Sequence, residues 1–330
     1  MKEFTITKAQ EGQKAIKFCC RMLPDAQPSF LHKMMRKKNI TRNGKKLEGN
    51  DTLHAGDCIR FFFSDETFQK FAGKTPAENA HSHMHFADHG LMPERILYED
   101  EDVLFYDKPA DMLSQKATVT DVSLNEFFLQ YLLGSGQLEA ENLSLQKPSV
   151  CNRLDRNTSG IVLCGKSHQG LVTLNALLKE RTLCKYYRCI VVGRVESRIL
   201  VRGYLKKDEA KNTVQIRECE FPGASYIETE IVPLQAGRDF SLLEIHLITG
   251  KTHQIRAHLA YLGHPIVGDY KYGDRVVNDR LRRSIGLSHQ LLHAYRIVFP
   301  DEMGVLCQLA GREFTAPLPD MFRLLAPKAE

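Results

Sequence analysis

Asn152-Arg153-Leu154-Asp155-Arg156-Asn157-Thr158-Ser159-Gly160, running into the apolar Ile161-Val162-Leu163-Cys164, is the stretch that decides the fold. It places one carboxylate between two arginines, then a turn-forming Asn-Thr-Ser-Gly, then a strand-like run. If residues 150–155 are extended, side chains alternate, and Arg153 and Asp155 share one face while Leu154 points to the other. A carboxylate beside a fixed cation is held charged and in one rotamer. That suits a nucleophile or a base, and it equally suits a structural ion pair at a strand end.

Working outward, residues 249–263, TGKTHQIRAHLAYLG, form a second landmark. Gly250-Lys251-Thr252 looks like the end of a phosphate-binding loop, but the earlier glycine that such a loop requires falls at Ile245, so that reading fails. What remains is a strand, a glycine turn and a helix capped by Thr252, with His253 and Arg256 three residues apart on one side of it. His253 and His258, five apart, have the wrong spacing to share a metal on a helix. Further strands are expected at 96–98, 103–106, 185–192, 227–234, 241–249 and 291–299. Ser123 and Glu126 make a capping box for one helix, and Ser167 caps another carrying Leu171, Leu174, Leu177 and Leu178. Successive strands without regular β-α-β alternation predict an α+β domain on a largely antiparallel, mixed sheet flanked by helices.

The central string resembles the H-R-L-D-x-x-T-S-G motif of the RluA family of pseudouridine synthases, with Asn152 in place of the histidine. Residues 249–269 resemble that family's T-G-R/K-x-H-Q-I-R-x-H-L…G-H-P-I-x-G-D motif. Lys185-Tyr186-Tyr187 fits its K-x-Y, and Lys108-Pro109-Ala110 its N-K-P-x-G, with Asp107 for Asn and Asp111 for Gly. The resemblance implies the pseudouridine synthase fold, Asp155 as catalytic carboxylate, Arg256 close to it in the active site, and Tyr187 against the base. Arg153 would help to balance or position Asp155 and contact substrate. Arg256 is expected to supply charge rather than packing.

Isomerising uridine breaks the bond from ribose carbon 1 to base nitrogen 1, turns the base, and bonds carbon 5 to the ribose. That chemistry needs no redox change, cofactor or metal, and one carboxylate is enough to carry a covalent adduct or stabilise developing positive charge. A hydrolytic glycosidase would ordinarily require a second carboxylate across the bond. The uracil must leave its stack, and an aromatic ring with an arginine suits a flipped base.

Charge is unevenly placed along the 330 residues. Residues 1–63 carry 13 Lys/Arg against 6 Asp/Glu, a net of +7, which leaves −2 for residues 64–330 out of a total of +5. Between Ser29 and Leu47 there are seven basic residues and no acidic one. Two amphipathic helices are expected within residues 1–63, 13–23 and one capped by Ser29, followed by a hairpin turning at Asn43-Gly44. Lys33, Arg36 and Lys37 fall on the second helix's outer side, with Arg42 and Lys45 on the hairpin. A solvated face and an RNA-binding face both fit. The helix–helix–hairpin order resembles the S-four-type RNA-binding domain of ribosomal proteins, which implies substrate contacts at these five cations.

Residues 73–92 have linker composition. His81, His83, His85 and His89 within them lack cysteine or acidic companions, and no metal is assigned. Nine cysteines without a C-x-x-C read as reduced thiols in the cytoplasm. The N-terminus lacks an apolar signal-peptide core, and no apolar run approaches the roughly 20 residues of a membrane span. The expectation is therefore an RNA-binding domain at 1–72, a linker at 73–92 and a pseudouridine synthase domain at 93–330. It acts without cofactor on RNA, large-subunit rRNA in preference to tRNA, and no protein partner is implied. The other class that fits is a non-catalytic RNA-binding ribosome-assembly factor.

Overall fold

A computed structural model describes residues 1–72, 90–118, 120–139 and 147–327. The histidine-bearing stretch 81–89 and most of the expected linker lie outside the described residues. The chain packs as two compact units: Met1–Phe105 with Gln115–Cys151 and Leu163–Asn175, and Tyr106–Ser114 with Asn152–Val162 and Ala176–Glu330.

In the first unit, β1 (Lys2–Thr5), α1 (Ala15–Met22), α2 (Pro28–Arg36), β2 (Ile40–Arg42), β3 (Lys45–Lys46), β4 (Cys58–Phe61) and α3 (Asp65–Ala72) follow in order. The strands form an antiparallel sheet ordered β1-β4-β2-β3. Phe18 and Cys19 of α1 and Leu31 and Met35 of α2 bury against Ile40, Ile59 and Phe61. Each such side chain contributes about 1.5–3 kcal/mol of burial. Ser29 is not the cap of α2. The helix starts at Pro28 with Gln27 as N-cap, because proline's fixed φ suits the first helical position. Asn43 (φ 51°) and Gly44 (φ 73°) make the hairpin turn with left-handed backbone, as that dipeptide favours.

The large sheet comprises β5 (Ile96–Glu99), β6 (Val103–Lys108), β7 (Ser149–Val150), β8 (Ser159–Gly165), β9 (Cys184–Val192), β10 (Ile199–Asp208), β11 (Thr213–Arg217), β12 (Ser225–Ala236), β13 (Phe240–His246), β14 (Leu292–Val298) and β15 (Glu313–Thr315). Its order is β11-β10-β12-β13-β9-β14-β8-β6-β5, with β7 beside β8 and β15 beside β14. The pairings from β11 to β14 are antiparallel and β14–β8 is parallel, so the sheet is mixed and largely antiparallel. The helices are α4 (Leu124–Gly134), α5 (His168–Glu180), α6 (Gln254–Tyr261), α7 (Arg275–Ile285) and α8 (Asp320–Leu325). The Ser123/Glu126 capping box and the Ser167 cap, whose Oγ accepts from Gly170 N at 2.9 Å, are present. Strands β10 and β11 and helix α7 add to the elements read from pattern. Helix α7 turns only Val277 and Leu281 into an apolar cluster and buries the polar Asn278 between them.

Strand β8 is buried along its whole length, which explains its unbroken apolar run. Gly160 opens it with φ 108°, and a Cβ there would lie 2.2 Å from the Ala294 carbonyl oxygen on β14. Only glycine allows that approach. Gly160→Ala is expected to destabilise the protein by about 2–4 kcal/mol through overlap and backbone strain. Denaturant unfolding measures this, and an unchanged midpoint would show that the two strands separate at no cost.

Candidate active site

The second unit gathers Asp155, Arg256, Tyr187, Lys108, His253, Asp269 and Tyr272, and the backbone explains how each arrives. Asp155 opens a turn closed by Thr158 N–H donating to the Asp155 carbonyl at 3.0 Å, immediately before β8. Its neighbours are clamped from residues 108–114. Ser114 Oγ accepts from Leu154 N–H and donates to the Leu154 carbonyl, both at 3.0 Å. Lys108, fully buried, donates its ammonium protons to the carbonyls of Pro109 and Met112 at 2.8 Å and of Arg156 at 3.0 Å. Burial pulls Lys108 down to about 7, with Asp155, Asp107 and Asp111 pulling the other way. Three acceptors match three ammonium protons, and that favours the charged form. The motif's glycine position, held here by Asp111, has φ 64°. Asp is one of the few side chains that tolerates that conformation, so the turn survives the replacement.

The carboxylate itself is met from the other side. Arg256 Nη1 donates to Asp155 Oδ2 at 2.7 Å. The same guanidinium grips Asp269 with Nε at 2.7 Å and Nη2 at 2.9 Å. Asp269 is fully buried, and its Oδ1 also accepts from Lys271 N and Tyr272 N. Burial alone would raise the Asp269 carboxyl, but the Arg256 hydrogen bonds outweigh it and hold the group below its ordinary value. Burial likewise opposes the Arg256 charge, and Asp269 and then Asp155 more than restore it. The turn bearing Asp269 is fixed in its turn by α7. Asn278 Oδ1 accepts from Gly268 N at 2.7 Å, and its Nδ2 donates to the Asp269 carbonyl at 3.0 Å.

Helix α6 starts at Gln254, one residue later than a Thr252 cap would place it. His253 is the N-cap, in left-handed backbone (φ 54°, ψ 15°). His253 Nε2 stands 3.8 Å from Asp155 Oδ2, and its Nδ1 lies 2.9 Å from the Tyr272 hydroxyl. Tyr187 lies on β9 between Ile245 and Ala294 and is buried; burial, and then the Asp155 charge, raise its phenol well above the ordinary value. His258 is buried, bonded to Thr229 Oγ1 at 2.9 Å and lowered by burial to about 4, which is a structural role.

Two expectations change. Arg153 is exposed and makes no ion pair or hydrogen bond among the described residues, because the chain turns out of extended geometry after Val150. The cation that contacts Asp155 directly is Arg256, with the buried Lys108 acting on it at longer range. Arg256, in turn, is no freely offered charge: it is buried and cements Asp269 as well as Asp155. Among the N-terminal cations, Lys33, Arg36, Lys37 and Lys45 are exposed. Arg42 is committed to the segment that leads into β4, donating to the Thr52 carbonyl at 2.9 Å and lying 3.7 Å from Asp57. The pattern reading missed Lys108, Ser114, Asp269, Tyr272 and Asn278 as contributors. Lys108 and Asp269 lie within the quoted motif strings, whereas Ser114 and Asn278 carry no local signal. No group of residues suited to hold a metal occurs among the described residues, and none of their helices is long and apolar enough to cross a membrane.

A family model described as RNA pseudouridylate synthase matches residues 102–261. The chain is 32% identical over 301 residues to an uncharacterized RNA pseudouridine synthase of Mycoplasma genitalium, covering 90% of this chain and 89% of that protein. It is 30% identical to the ribosomal large subunit pseudouridine synthase C of Vibrio parahaemolyticus, covering 89% and 87%. Among solved structures, human RNA pseudouridylate synthase domain containing 1 superposes with a TM-score of 0.50 at 25% identity, over 69% of this chain and 85% of that one. Human RNA pseudouridylate synthase domain containing 4 does so at 0.51, 20% identity, 70% and 90%, a likeness of fold. With these relatives and this sheet, the chain belongs to the RluA family of RNA pseudouridine synthases, enzymes that isomerise uridine to pseudouridine in RNA.

Proposed function

We propose that this enzyme modifies uridines of large-subunit rRNA and that Asp155 is its catalytic carboxylate. The observation that carries the reading is an asymmetry at Asp155. Oδ2 is held by Arg256, whereas Oδ1 has no partner among the described residues, and the side chain keeps 29% of its surface open. One oxygen is anchored and the other is presented, as a nucleophile or an electrostatic stabiliser of a cationic ribose requires. Asp155 engages the substrate as the bond from carbon 1 to nitrogen 1 breaks. The freed uracil turns against Tyr187, carbon 5 bonds to the ribose and then gives up its proton, and nitrogen 1 takes a proton up. Tyr187, its phenol held protonated by burial and by Asp155, serves as an aromatic wall and hydrogen-bond donor to the flipped base.

The rRNA assignment rests on the relatives of similar length whose names specify the ribosomal large subunit. tRNA is the competing substrate, and mapping pseudouridine in both RNAs from cells with and without the gene separates them. We read residues 1–72 as an S-four-type RNA-binding domain and 93–330 as the catalytic domain. Nine free thiols support a cytoplasmic location.

Asp155→Asn keeps the shape and removes the reactive oxygen. Release of tritium from carbon-5-labelled uridine in RNA should fall about 10³-fold or more, and near-normal release would leave Asp155 a mere ion-pair partner. Arg256→Ala strands the buried Asp269 carboxylate, so it should cost about 3–5 kcal/mol of stability as well as turnover. An unchanged denaturation midpoint would mean that water reaches Asp269. For the basic module, replacing Lys33, Arg36, Lys37 and Lys45 by Gln should flatten the slope of log affinity against log salt by about 2–3, at roughly 0.7 counterions per phosphate contact. Parallel lines for the two proteins would make these cations a solvated face.

A further inference from the structure

We infer that His253 is a positioning residue for Asp155: a neutral imidazole whose tautomer is set by Tyr272 so that its Nε2–H faces the carboxylate. The inference rests on the reading of Asp155 as the catalytic carboxylate and assigns a role to a histidine that reading leaves unused.

Proton accounting leads to it. The Tyr272 oxygen accepts from Val214 N–H at 3.0 Å. Its own proton has one acceptor among the described residues, His253 Nδ1 at 2.9 Å. With that proton given to Nδ1, the ring proton sits on Nε2, the nitrogen 3.8 Å from Asp155 Oδ2. That oxygen already accepts from Arg256 Nη1. At 3.8 Å the Nε2–H is too far for a hydrogen bond, but its positive end stands on the side of the oxygen that Arg256 already holds, and Oδ1 stays outward.

The backbone supports a role beyond packing. An N-cap usually carries a short oxygen side chain, whose loss costs about 1 kcal/mol. His253 makes no capping bond and adopts a left-handed conformation that non-glycine residues seldom take. The chain forgoes a cap and accepts strain to aim this ring at Asp155 and to set it edge-on to Tyr272, with ring centroids 5.5 Å apart and planes at 69°.

Burial, more than the surrounding charges, favours the neutral ring. Burial lowers His253 most, Asp155 pulls it up, Arg256 and Lys271 push it down, and Asp269 pulls it up, with a net lowering. The neutral form is present above this lowered value and is lost as pH falls through it. Protonation would put a second N–H against Tyr272, whose oxygen is already occupied by Val214, and would break the relay.

The test is pre-steady-state and steady-state tritium release on labelled RNA for His253→Ala, His253→Gln and Tyr272→Phe, each assayed below its own melting transition. His253→Ala should lower kcat about 10- to 100-fold, the cost of a carboxylate out of place, with KM within about 2-fold of wild type. His253→Gln puts an amide N–H where Nε2–H stands and has nothing to titrate. It should recover most of kcat and move the acid limb of the pH profile to lower pH. Tyr272→Phe should lower kcat without changing KM. If Asp155→Asn is inert while His253→Ala keeps wild-type kcat and an unmoved acid limb, this inference is overturned and the Asp155 reading stands. If His253→Gln is as impaired as His253→Ala with the acid limb unmoved, the ring is structural and the inference fails. An active Asp155→Asn enzyme removes both.

Discussion

The site depends on a charge that has nowhere else to go. Asp269 is wholly buried, so its carboxylate must be neutralised and hydrogen-bonded in place. Two backbone amides and the Nε/Nη2 edge of Arg256 do this. A guanidinium is planar and rigid, so gripping one edge of it fixes the direction of the remaining Nη1. That nitrogen meets Asp155 at 2.7 Å. Lysine at this position would bring the same charge without the fixed second direction.

The main chain supplies the complementary constraint. Lys108 and Ser114 bond the backbone of residues 154 and 156, on either side of Asp155, and thereby place its Cα while Arg256 places its oxygen. Three converging carbonyls offset part of the cost of burying the Lys108 ammonium, which burial still pulls down to about 7. A lysine so held is a structural cation and is spent on the turn. The same logic carries one shell further, to Asn278 holding the turn of Gly268 and Asp269.

In the N-terminal portion the division of labour is simpler. Apolar faces of α1 and α2 close on the small sheet, and the cations of α2 stay outside it. Charge counted along the chain overstates what is offered to an anionic partner, since Arg42, Lys46 and Arg60 are matched by Asp57, Glu48 and Glu3 close by. Lys33, Arg36, Lys37 and Lys45 have no ion pair or hydrogen bond among the described residues.

Local pattern determined the strands at 184–192, 225–236 and 240–246, the α+β class, the helices after Ser123 and Ser167 and the turn at Asn43-Gly44, because alternation, helical spacing and turn chemistry are written into neighbouring residues. It also placed Asp155, Arg256 and Tyr187 in one site, through motif strings rather than through any rule of spacing. What only the tertiary structure decided is which cation serves which carboxylate. Arg153, two residues from Asp155, turns out to solvent, and Arg256, 101 positions away, takes its place. Helix α7 escaped notice because its inward face is half polar. Asn278 is buried for its bonds to residues 268 and 269, a partnership that exists only once the chain has folded back. Burial is a property of the assembled core, so the charge of Asp269, the tripod on Lys108 and the neutrality of His253 have no trace in the order of residues. They follow from low dielectric and from the count of donors and acceptors that the fold brings together.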